Sequence, residues 1–162
     1  MPLRYLPASV LLALAIILPA SAHEPGHAMG GGKPGDAAKA TRTVEIVATD
    51  NAFSLKSLQV RDGETVRFVI RNDGFETHEF LIGTAHEHAE HLEMMKAMIE
   101  QQKKTGHAMP MDHHDSGVTV LPGETATFVW TFARAANLQF ACDIPGHYQD
   151  GMHGAISFGG GQ

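Results

Sequence analysis

The sequence predicts an all-β sandwich that carries one inserted helix. Three features of the 162 residues lead there. Short segments alternate apolar and polar side chains, as strands with one buried face do. Turn dipeptides such as Asp62-Gly63 and Pro122-Gly123 separate them. One stretch, Ala85 to Lys104, has no Gly or Pro and is rich in helix formers.

The strands follow in order. Residues 43–49 are β-branched, and residues 57–61 lead through Asp62-Gly63 into residues 64–72. There Val66, Phe68 and Ile70 alternate with Thr65, Arg67 and Arg71, which sets a core face against a wet one. Residues 77–82 form a further strand. In residues 125–132, Phe128, Trp130 and Phe132 share one face, with Thr125, Thr127 and Thr131 on the other. Leu138, Phe140 and Cys142 share a face of the next strand, and residues 155–158 close the set. Seven or eight such strands predict an antiparallel sandwich. The helix, expected over residues 85–104, carries a stripe of His88, Leu92, Met95 and Ile99 that reads as its packing face.

The ends read differently. Val10 to Leu18 is an apolar run that Pro19 breaks, followed by the small-residue site Ala20-Ser21-Ala22. Residues 1–22 therefore predict a cleaved export signal, too short to anchor in a bilayer. Export implies the periplasm, with no membrane association after cleavage. Residues 23–41 are rich in Gly, Pro and Ala and predict a flexible arm. The domain proper is expected over 42–160, with a His/Met-rich insertion at 85–115. Loss of Arg4 with the signal takes the formal charge from −6 to −7, and an acidic chain without basic clusters is no nucleic-acid binder.

Residue usage points to metal. The chain has 11 His, one Cys and 8 Met. A lone thiol in an oxidising compartment is either buried and inert or in use. Its surroundings read Ala141-Cys142-Asp143-Ile144-Pro145-Gly146-His147, then Gly151-Met152-His153-Gly154. A thiolate, an imidazole and a thioether thus lie in one loop as Cys-x4-His-x4-Met. Soft sulfur with imidazole selects copper, and two imidazoles, a thiolate and a weak axial thioether make a type-1 site. His78, on a strand outside both arm and insertion, is the best candidate for the second imidazole. His153 reads as a surface residue or a neighbour of the site.

Residues 86–114 hold six His and five Met. His86, His88, His91, Met94, Met95, His107, Met109, Met111, His113 and His114 are candidates for a second, looser copper-collecting surface. His91, Met94 and Met95, at i, i+3 and i+4, have the spacing to reach one ion. Cleavage after Ala22 would make His23 the first residue, with an amine and an imidazole able to chelate Cu(II).

In Thr77-His78-Glu79-Phe80 and in the Cys142–Gly154 loop, the chain resembles the cupredoxin family, specifically bacterial periplasmic cupredoxins linked to copper tolerance. The resemblance covers about residues 42–158. It implies a Greek-key β-sandwich with copper near one end, held by His78, Cys142, His147 and Met152. Many electron-carrying members have Asn after the first His and Ser or Thr after the Cys, a pair that ties the two segments together. Here those positions are Glu79 and Asp143, two carboxylates expected to favour Cu(II).

Three functions follow as expectations: a copper-tolerance protein, a soluble electron carrier, or a copper oxidase. The oxidase fits least, because four protein ligands leave no open position for substrate. Copper-rich surplus ligands favour tolerance with redox activity retained, and copper ions with a periplasmic redox or copper-transfer protein as partners.

Overall fold

The computed structural model describes residues 30–107 and 115–159. The leader, His23 and the loop residues Met109, Met111, His113 and His114 lie outside them.

Ten strands and one long helix are present among the described residues: β1 (Gly32–Pro34), β2 (Arg42–Thr49), β3 (Ala52–Phe53), β4 (Ser57–Val60), β5 (Thr65–Asn72), β6 (His78–Thr84), α1 (Ala85–Thr105), β7 (Gly117–Val120), β8 (Thr125–Phe132), β9 (Leu138–Ala141) and β10 (His153–Phe158). They form two five-stranded sheets, ordered β1-β8-β5-β2-β3 and β4-β10-β9-β6-β7. The facing sides interdigitate Phe53, Phe68, Phe80, Trp130, Phe132 and Phe140, all essentially inaccessible to water. Phe80 lies 5.5 Å from Phe53, 5.3 Å from Phe68 and 5.4 Å from Phe140, centroid to centroid. At roughly 1.5–3 kcal/mol for each fully buried large side chain, this aromatic layer is a large part of the hydrophobic stabilisation.

Two expectations are corrected. The sandwich is mixed rather than antiparallel, because β2 runs parallel to β5 and β10 parallel to β4. Alternation reads a strand's faces but not its direction, so the period could not show this. The arm expected to be flexible over 23–41 is docked from Gly30 onward. Gly32 pairs with Phe132 on β8, and the Trp130 indole N–H donates to Gly31 O at 3.2 Å. The glycine that suggested flexibility is there for close approach: a Cβ on Gly32 would collide with Thr131 O and the Trp130 ring. The short strands β3 and β7 also went unpredicted.

The helix forms where expected. Thr84 caps it, accepting from the Glu87 N–H while the Glu87 carboxylate accepts from the Thr84 N–H. Its buried residues are His88, His91, Leu92 and Met95, so the predicted stripe is indeed a packing face, with Ile99 half-buried near its end. The helix lies against β6 and β9. Among the described residues no helix is long and apolar enough to cross a membrane.

Candidate metal centre

β6 and β9 are antiparallel neighbours, with Leu81 opposite Ala141. Running the two strands on toward the same end brings His78 and Cys142 together where β6 begins and β9 stops. The loop that follows Cys142 folds as consecutive turns. His147 N–H donates to Ile144 O at 3.0 Å, Gly151 N–H to Tyr148 O at 3.0 Å, and Met152 N–H to His147 O at 2.9 Å. Gly146 and Gly151 take φ of 103° and 102°, values that L side chains rarely adopt. Cys142 N–H then donates to Met152 O at 3.0 Å, which closes the loop on itself.

The His78, Cys142 and His147 donor atoms all lie within 4.8 Å of one another, and all three residues are buried. His78 Nδ1 is 3.3 Å from His147 Nδ1, and Cys142 Sγ is 3.4 Å from His147 Nδ1. Such separations suit donors around one ion, where metal–donor bonds are roughly 2.0–2.3 Å. The donor set of two imidazoles and a sulfur fits copper. Met152 is wholly buried at the end of the same loop.

Carboxylates face the outer nitrogens of both imidazoles. His147 Nε2 is 3.0 Å from Glu76 Oε2, and His78 Nε2 is 3.7 Å from Asp50 Oδ1. A carboxylate behind a ligating imidazole fixes its ring and raises its basicity. The Phe75 N–H, and with it the Glu76 N–H, donates to Asp50 and holds its carboxyl below the usual range. Burial, then the neighbouring His147, pushes the His78 pKa down, which keeps its ring neutral and ready for metal. Burial pushes the Cys142 thiol up to about 12 against N–H donation from Glu79 and Ile144. Metal binding must therefore displace the thiol proton. Asn72, fully buried, donates to Glu76 O at 2.7 Å and Val120 O at 3.0 Å, and accepts from Gly74 N–H at 2.9 Å. It pins the loop that delivers Glu76 and His78.

Sequence reasoning overlooked Asp50, Glu76 and Asn72. Asp50 sits in the turn between β2 and β3, far along the chain, and only the fold brings it to the site. Glu76, two residues before His78, had a visible clue in that spacing. His153 is half-buried and stacks on Tyr148, centroids 4.4 Å apart.

The histidines and methionines expected to collect further copper divide, among the described residues, into buried and exposed groups. His91 and Met95 are buried while Met94 is 44% exposed, so of these three only Met94 stands open to solvent. The i, i+3, i+4 spacing sets neighbourhood on a helix, but here a sheet covers part of that face. His88 and His91 turn inward to acidic residues: His88 Nδ1 is 2.8 Å from Asp143 Oδ2, and His91 Nε2 is 3.8 Å from Glu79 Oε2. Burial lowers the His91 pKa, but the Glu79 contact and the Asp143 charge outweigh it and the net shift is upward. His86 is exposed beside Glu90, and His107 is exposed against the Thr105 carbonyl.

With this fold and donor set, the chain belongs to the plastocyanin/azurin family of copper-binding proteins, whose pattern it matches over residues 40–159. It is 43% identical to the copper-resistant cuproprotein CopI of Pseudomonas aeruginosa over 181 aligned positions, covering 96% of this chain and 97% of that protein. It is also 43% identical to the copper-resistant cuproprotein CopI of Rubrivivax gelatinosus over 142 positions, covering 84% and 80%. Among solved structures, auracyanin B superposes with a TM-score of 0.60 at 20% identity over 83% of this chain and all of that one, a likeness of fold.

Proposed function

We propose that this chain is an exported type-1 copper protein that serves copper tolerance, with His78, Cys142, His147 and Met152 as its ligands. The observation that carries the reading is the buried gathering of two imidazole nitrogens and one thiol within 4.8 Å. Met152 would complete the set as a thioether donor, from a loop whose backbone it closes through the Cys142 N–H. Bound copper supplies one-electron redox chemistry. The residues around it would favour a neutral His78 ring, orient the two imidazoles through Glu76 and Asp50, and keep water from the sulfur.

Tolerance is supported by likeness along nearly the full length to proteins named for copper resistance. Export to the periplasm is supported by the leader-like start of the sequence. We infer that the protein acts by binding rather than as an enzyme, since four protein ligands would leave copper no open position for substrate. Additional copper is assigned to His23, His86, Met94, His107, Met109, Met111, His113 and His114, leaving out the helix residues that pack inward.

The test is complementation. In cells lacking their own copy, the parent gene should restore growth in added copper and Cys142→Ser should not. Equal rescue by both would remove tolerance from this site. Replacing His107, Met109, Met111, His113 and His114 together should leave the type-1 absorption intact while fewer extra ions bind in calorimetry.

A second reading, soluble electron carrier, has one observation in its favour. Phe75 is 91% exposed and Leu121 49% exposed, both near the end of the sandwich where His78 lies. Exposed apolar side chains at a redox centre suit brief docking. A copper titration separates the readings: a single tight ion favours the carrier, and further weaker ions favour tolerance.

A further inference from the structure

Successive residues of a strand point to opposite faces. His78 turns toward the other two donors, so Glu79 turns to the outer face of the second sheet, where α1 lies. Asp143 stands in the same relation to Cys142. Both carboxylates are shut away from water, at 1% and 0% exposure, directly behind two residues of the metal centre. Buried carboxylates at the surface of a core are costly without partners. Helix α1 supplies those partners from one turn, His88 at 2.8 Å from Asp143 and His91 at 3.8 Å from Glu79. These imidazoles are themselves 1% and 7% exposed.

The contacts reach the sulfur by short paths. The Glu79 N–H donates to Cys142 Sγ at 3.3 Å, so whatever holds the Glu79 side chain also sets that N–H. Asp143 is bonded covalently to Cys142, so whatever holds its carboxylate limits the turn at the thiol. The helix begins directly after β6, capped by Thr84, and is therefore rigidly joined to the strand that carries His78.

We propose that His88 and His91 are positioning residues of the copper site, by which the inserted helix clamps Glu79 and Asp143 and so fixes the sulfur's hydrogen bond and orientation. This rests on the type-1 reading above. It gives the inward half of the helix a different task from copper collection. His88 bonds Asp143 through Nδ1, the position that the amide of Asn matches, while His91 turns Nε2 toward Glu79 at ion-pair rather than hydrogen-bond distance, the position that the amide of Gln reaches.

The test compares the copper-loaded full chain with His88→Leu, His91→Leu, His88→Asn, His91→Gln and Leu92→Ala. The visible thiolate-to-copper absorption and the reduction potential should move in both Leu variants and return toward the parent in His88→Asn and His91→Gln. Leu92→Ala, on the same packed face, should lower the melting temperature and leave the spectrum in place. In the metal-free protein, hydrogen exchange of the Glu79 amide should speed up in His91→Leu. If the His→Leu variants do not fold, the pair Asp143→Leu/His88→Leu removes both ends at once, a change that is often tolerated, and its spectrum should also move. An unchanged spectrum and potential in the folded Leu variants, with stability alone reduced, overturns the proposal. A parent protein without any thiolate-to-copper absorption would instead overturn the type-1 reading.

Discussion

Histidine meets carboxylate in two places around the same sulfur. At the open end of the sandwich, His147 and His78 face Glu76 and Asp50, whose side chains are 58% and 40% exposed. On the back of the second sheet, His88 and His91 face Asp143 and Glu79, which are closed to water. The residue types are the same, and the surroundings assign different work. In the first set the carboxylates are open to water and salt, which screen their charge, so these contacts add little stability and act by orienting a buried ring. In the buried pairs a lost partner leaves a polar group stranded, so the fold depends on them.

The largest effect should come from breaking a buried pair. Asp143→Leu should destabilise the metal-free protein by about 3 kcal/mol, because it strands the buried His88 ring. Urea unfolding would show this as a lower midpoint. A loss under about 1 kcal/mol would place this pair with the surface pairs and end the distinction.

Between the two sets lies Cys142, whose burial can be tested by pH. Burial pushes its thiol up to about 12 in the folded metal-free protein, against about 8.5 in an unfolded chain. The folded state thus keeps a proton that the unfolded state has lost. Stability should be unaffected by this group below about pH 8.5 and should fall steadily as pH rises from there toward 12. Urea midpoints at about pH 8 and about pH 10 should differ, and Cys142→Ser should remove most of the difference. Equal midpoints in the parent would mean that the thiol is not held in an apolar setting.

Glu76→Gln should have the smallest effect on folding, within about 1 kcal/mol. Its signature belongs to the metal: copper should be held roughly 10-fold less tightly, as when other partners of ligating imidazoles are removed. Competition with a chelator measures this. Unchanged affinity with lowered stability would reverse the roles given to the two sets.

Much of this was readable from residue order. Alternation in residues 64–72 and 125–132 located the central strands β5 and β8, because a half-buried strand must alternate. Cys142-x4-His147 showed two of the three donors that the fold gathers, because they are local in the chain. What stayed hidden depends on distant pairing. β1 looked like a linker because its glycines are chosen for contact with Trp130 and Thr131, and nothing local marks that. Asp50 reaches His78 only through the register of β2 and β5. The acidic residues after His78 and Cys142 were visible as departures from the usual pattern, and the inward histidines were visible as a stripe. That the two answer each other required the helix to be placed on β6 and β9.

On the reading proposed above, Cys142 supplies a thiolate to copper beside His78 and His147. The most direct measurement is the visible spectrum of the Cu(II)-loaded protein and its Cys142→Ser variant. The parent should absorb strongly through thiolate-to-copper charge transfer, and the variant should lose that absorption, because a serine hydroxyl is a hard, poorly ionised substitute. The same strong absorption in both proteins would contradict the claim.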